Sequence, residues 1–182
     1  LGLRNPAAMR KTLLGLLALA AAAFAGFVAL TSLTTGSSVA TWAPCPRNWA
    51  WLPAWLPRAS PLDELRFRLG DGHGKVCYGR PASRGRRMLG SGEVPFGRLW
   101  RTGANEPTTL HLDAPARLGP LALVAGSYSL YTVPGATRWQ VVVNRSTRQW
   151  GLESEYSDAV RAREVGRFEV PVETLAAPVE VF

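Results

Sequence analysis

From Leu62 onward, apolar residues tend to recur at every second position. Leu65, Phe67 and Leu69 alternate with Glu64, Arg66 and Arg68. A period of two puts one set of side chains on one face of a strand. The same pattern returns in Thr108–Leu112, with Leu110 and Leu112, and in Ser127–Val133, with Tyr128 and Leu130. Val76–Tyr78, Leu121–Val124, Trp139–Val143, Arg167–Val172 and Val179–Phe182 are further apolar runs, and Trp150 with Leu152 opens another. Asp71-Gly72-His73-Gly74, Ala125-Gly126 and Pro134-Gly135 read as turns between them. Ser157–Glu164 is the one stretch with helical character. Short strands punctuated by Gly and Pro turns predict an all-β domain over residues 62–182, an antiparallel β-sandwich or barrel-like fold.

The N-terminal part obeys a different rule. Met9-Arg10-Lys11 reads as the true start, and residues 1–8 as upstream or tag residues. No charged residue occurs from Thr12 to Leu33. A helix crosses a bilayer with about 20 apolar residues, so residues 9–33 are expected to form one N-terminal transmembrane anchor. The basic pair precedes the run, which puts the N-terminus in the cytoplasm and the domain outside. The alternative is a signal segment cleaved near Val39–Ala43, which would leave a secreted or periplasmic protein. Residues 34–61 form a Pro/Trp-rich linker in which Pro44, Pro46, Pro53 and Pro57 prevent a long helix. Its tryptophans suit a membrane–water interface; the same rings can instead pack on the domain as a lid. Cys45 lies in this linker and Cys77 in the domain, and they are the two cysteines of the chain. An oxidising compartment permits a disulfide between them.

Formal net charge is +8, and the excess is unevenly placed. Lys75, Arg80, Arg84, Arg86, Arg87, Arg98 and Arg101 share their stretch with one acid, Glu93. From Thr102 onward acids outnumber bases. Concentrated positive charge suits an anionic ligand or surface; it also suits a solvated loop. Guanidinium groups grip carboxylates and phosphates bidentately. Arg80, Arg87 and Arg101 are therefore candidate ligand-binding residues, with Tyr78 and Trp100 to stack on a ring, and Asn105 and Glu106 as polar partners. The alternative is a polar bracket in which Arg101 pairs with Glu106 and Asn105 holds a turn.

Tyr78-Gly79-Arg80-Pro81, Gly92–Gly97 and above all Trp100-Arg101-Thr102-Gly103-Ala104-Asn105-Glu106 resemble a bacterial family, domain of unknown function 2911. Ala125–Leu130, Thr132–Gly135, Trp139–Asn144 and Trp150-Gly151 are similar to its next blocks. The resemblance implies a secreted or membrane-attached β-rich domain and carries over no catalytic residue. Pro107 departs from the family pattern and removes a backbone N–H beside Glu106. The resemblance also implies further strands past Phe182, so the domain is expected to be truncated at its C-terminus, with an unpaired sheet edge.

His73 and His111 have no third ligand motif beside them, so no metal or cofactor is expected. Nucleotide-binding and nucleophile-elbow motifs do not occur, and no nucleic-acid reader motif accompanies the basic run. The leading expectation is a membrane-anchored binding or envelope-structural module with an Arg-rich pocket for an anionic small molecule or glycan. The competing one is a hydrolase with Glu106 as acid–base and Arg101 as electrostatic stabiliser.

Overall fold

The computed structural model describes residues 19, 22–23, 39–46 and 58–181. The expected membrane span lies outside the described residues apart from 19, 22 and 23, as do Trp49, Trp51 and Trp55 of the linker. The chain divides into two units, Leu1–Thr35 and Gly36–Phe182, and the second holds all the described strands.

These strands are β1 (Leu62–Leu69), β2 (Gly72–Gly79), β3 (Thr108–Leu112), β4 (Ala116–Leu118), β5 (Leu121–Leu123), β6 (Gly126–Val133), β7 (Arg138–Asn144) and β8 (Glu164–Pro171). A six-stranded sheet runs β1-β2-β3-β6-β7-β8, and β4 pairs with β5 in a two-stranded sheet. Every strand pair is antiparallel. Among the described residues the second layer is thinner than the expected sandwich: it is the β4–β5 ribbon.

Alternation decides which face each side chain takes. Val76, Leu110 and Tyr128 are register partners across β2, β3 and β6. With Leu112, Leu123 and Val143 they build the main core, against which Phe67, Leu118, Leu121 and Phe168 pack. Removing such side chains from water contributes roughly 1.5–3 kcal/mol each. Tyr131, Val142 and Tyr156 form a second cluster, with Leu99 and Val160 against it.

Two expectations need correction. Leu65 is 58% exposed and Leu69 39%, so Phe67 is the β1 side chain that joins the core. β1 is an edge strand, paired on one side alone, and period two marks a strand without saying that its apolar face is covered. Trp150 and Leu152 open no strand; they precede a short 3-10 turn, Glu153–Glu155. The helix within Ser157–Glu164 is one turn, Asp158–Arg161, with Ser157 Oγ accepting from the Val160 backbone N–H.

The other side chains of β2, β3 and β6 form a polar surface. Lys75, His111 and Ser127 are register partners, as are Cys77, Thr109 and Ser129. Linker residues cover part of it. Cys45 and Cys77 form a disulfide, Lys75 Nζ donates to the Ala43 carbonyl, and Arg66 Nη1 donates to that of Thr41 at 3.1 Å. Lys75 is 1% exposed, and burial holds its amine below the ordinary lysine value.

His111 lies beside Lys75 in this layer. Its Nδ1 is 2.8 Å from Ser127 Oγ and its Nε2 3.1 Å from Thr109 Oγ1. Hydroxyls donate or accept as required, so a neutral imidazole is satisfied at both nitrogens. Burial, and then the Lys75 charge, pull its pKa from 6.5 down to about 4. The unfolded chain therefore binds a proton between pH 6.5 and 4 that the folded chain does not. Stability is expected to fall as pH drops through this window, with about 3 kcal/mol of the loss due to His111. A His111→Asn variant should show that much less loss in urea titrations from pH 7 to 4. Equal slopes for the two proteins would contradict the assignment.

Candidate functional site

The run from Trp100 to Glu106 sits in the long connection between β2 and β3. Its Trp100 end is pinned to β6: Trp100 N donates to Thr132 O at 2.7 Å and Thr132 N returns to Trp100 O at 2.8 Å. The backbone then turns sharply, with positive φ at Thr102 (55°) and Asn105 (64°), a conformation that non-glycine residues adopt at a cost. Thr108 Oγ1 donates to Thr102 O at 2.6 Å, and Ala104 N to Gly79 O at 3.2 Å. The turn lies so close to the end of β2 that a Cβ on Gly79 would stand 1.8 Å from Ala104 O. Glycine is therefore required there by backbone packing.

Glu106 is buried, and Arg58 Nη1 donates to both its carboxylate oxygens at 2.8 and 2.9 Å. Asn105 Nδ2 donates to Ser60 O at 3.0 Å. These two candidates hold the start of the domain against the turn. The sequence pointed to Arg101 as the partner of Glu106 within the bracket; the hydrogen-bonded partner is Arg58, forty-eight positions earlier, and Arg101 is near enough for the Glu106 charge to act on it.

The remaining arginines spread over the surface. Arg80 pairs with Asp63 at 3.3 Å, Arg86 with Glu93 at 2.9 Å and Arg98 with Glu153 at 2.6 Å. Arg84 reaches the Ala59 carbonyl, and Arg87 is exposed. The expected convergence of these guanidinium groups does not occur, because acids on neighbouring segments draw them apart.

Arg101 behaves differently. It lines a cleft of about 380 Å³ with Val94, Pro95, Leu99, Trp100, Arg98, Leu152 and Glu153 among its walls. Arg101 Nη1 is buried and has no hydrogen-bond partner among the described residues. Burial holds its pKa below the ordinary arginine value, with nearby Glu106 and Tyr131 acting in the opposite direction; a guanidinium nonetheless stays charged at neutral pH. The side chain crosses Gly151, where a Cβ would come within 2.4 Å of Arg101 Cδ. Trp100 lines the same cleft and meets Trp139 edge to face at 6.1 Å. Tyr78, Arg80, Arg87, Asn105 and Glu106 are not among its walls.

Residues 60–182 match the family described as protein of unknown function (DUF2911). The chain belongs to this family. No curated protein and no solved structure matches it. The DUF2911 domain thus coincides with the β-rich unit from just before β1. Leu99, Gly151 and Leu152 of the cleft, and Arg58 of the clamp, escaped the sequence reading. Gly151 was visible as part of the Trp150-Gly151 block, but nothing in its spacing says that an arginine fifty positions earlier lies across it.

Proposed function

We propose that this DUF2911 protein is a membrane-anchored, extracytoplasmic binding module that takes an anionic small molecule or glycan at the Arg101 cleft. The observation that carries this reading is that Arg101, a wall of the cleft, has a buried Nη1 with no hydrogen-bond partner among the described residues. A buried polar atom without a partner costs about 1–3 kcal/mol, more when charged, and an anion in the cleft toward which the Arg101 side chain turns would remove that cost. The volume falls within the range of small-molecule sites, about 300–1,000 Å³. The outward placement draws support from the uncharged run of residues 12–33 and from the Cys45–Cys77 disulfide, a bond that persists in oxidising compartments.

The hydrolase reading has no comparable support. Both Glu106 oxygens accept from Arg58, and Glu106 is not a wall of the cleft. A general acid–base must reach the proton it transfers.

The test is an Arg101→Met variant titrated with acetate, inorganic phosphate and glucuronate. Wild type is expected to bind at least one of them, and the variant to lose about 10- to 100-fold in affinity, the range of one or two hydrogen bonds to a charged group. Its melting temperature should stay within about 2 °C of wild type, since the change removes a half-buried cation whose Nη1 makes no hydrogen bond. A large fall in melting temperature with no anion binding by wild type would contradict the proposal.

A further inference from the structure

A second recess adjoins the Arg101 cleft and differs from it in chemistry. It has a volume of about 200 Å³, and Met88, Leu89, Trp139, Val179 and Val181 line it. Val94 and Trp100 line both recesses. The C-terminal segment forms one side of the second. Ala82 and Val181 make an isolated antiparallel bridge, Ser83 N donates to Glu180 O at 2.8 Å, and the Glu180 carboxylate accepts from Ser83 Oγ and the Arg84 N–H. Its polar groups are thereby engaged along the strap, which leaves the recess apolar.

Exposed apolar side chains gather at the same place. Leu89 is 40% exposed, Val179 63% and Val181 43%, and Leu152 at the edge of the first cleft is 47% exposed. Apolar surface grouped around a recess marks a binding site more often than chance exposure does. Charge decides the other end of the occupant. Glu93 and Glu153 on the cleft wall are matched by Arg86 and Arg98. Among the described walls Arg101 is then the cation outside any salt bridge, and it suits a single negative charge rather than a dianion.

We infer that one ligand spans both recesses: a monocarboxylate whose head meets Arg101 and whose saturated tail lies between Leu89, Trp139 and Val179. This class, a fatty or similarly amphiphilic acid, deepens the anion-binding reading and rests on it. The carboxylate accepts from the Arg101 guanidinium, Val94 and Trp100 flank the first carbons, and the strap covers the tail.

The test uses the full chain in bilayer nanodiscs, titrated with acetate, butanoate, hexanoate and hexanol while side-chain resonances of Arg101 and Leu89 are followed. Affinity is expected to rise about three- to fourfold for each added methylene, the free-energy gain of burying one CH₂. Hexanoate should move both resonances, and acetate that of Arg101 alone. Val179→Asp and Leu89→Asp, both at exposed positions, should weaken hexanoate at least tenfold and leave acetate unchanged. Acetate and hexanoate binding equally, both through Arg101, would overturn the tail and leave the anion cleft standing. Hexanol binding as tightly as hexanoate, unaffected by Arg101→Met, would overturn the shared ligand. So would concentration-dependent self-association that buries Leu89 and Val179. Binding of no carboxylate at all would overturn both readings.

Discussion

A Glu106→Gln variant is expected to lose about 3–5 kcal/mol of folding stability, the usual result of removing one partner from a buried ion pair. The Arg58 and Glu106 side chains are 13% and 7% exposed, so solvent screens the pair little. Neutralising Glu106 leaves Arg58 buried without a counter-charge, and that uncompensated cation accounts for most of the loss. Urea denaturation of wild type and variant measures it. Arg58→Met should cost a similar amount for the converse reason. The double variant should be less damaged than the sum of the two, because no orphaned charge remains. A single-variant loss below about 1 kcal/mol would show the pair to be a surface contact in effect. Domains of this size have a total stability of about 5–15 kcal/mol, so the expected loss is a large share of it.

Breaking the disulfide is the second large effect. Cys45 and Cys77 are separated by 32 residues, and cross-linking a loop of that length restricts the unfolded chain by about 3–4 kcal/mol in the chain-entropy account. A Cys45→Ser, Cys77→Ser double variant should lose about that much and unfold at lower urea. It should also uncover Lys75, whose Nζ is held by the Ala43 carbonyl just ahead of Cys45. Amine-labelling reagents should modify Lys75 in the double variant and spare it in wild type. Unchanged stability together with unchanged protection would mean that the cover is held by packing alone.

The strands that could be read in advance are those whose alternation agrees with burial on both sides. β3, β6 and β7 lie inside the sheet order, and Leu110, Leu112, Tyr128 and Val143 are the core residues that their pattern implied. β1 shows where the argument weakens. Leu65 alternates as well as Leu110 does, yet an edge strand without a covering layer leaves it in water. β4 was not legible, because three residues are too few to show a period. Within the candidate site, Trp100 and Arg101 reach the cleft while Arg80 and Glu106 do not. Residue type and closeness in sequence said that arginines were concentrated. Which of them stayed unpaired depended on Asp63, Glu93 and Glu153, acids brought beside them by tertiary structure.

Arg101 carries the functional account because its position in the turn and its lack of a partner have different causes. The Trp100–Thr132 bridge and the tight turn at Thr102 fix the backbone. Gly151, itself a wall of the cleft, leaves room for the side chain to cross it. Gly151→Ala is a useful companion variant, since the added methyl displaces Arg101 and should weaken anion binding without touching any charge.

The most direct measurement is the Nε–H resonance of Arg101 during an acetate titration of the full chain at neutral pH. A saturable shift confined to Arg101 and its cleft neighbours is expected, complete within anion concentrations on the order of tens of millimolar. A resonance that stays still over that range, or that moves no more than those of Arg98 and Arg80, would contradict it.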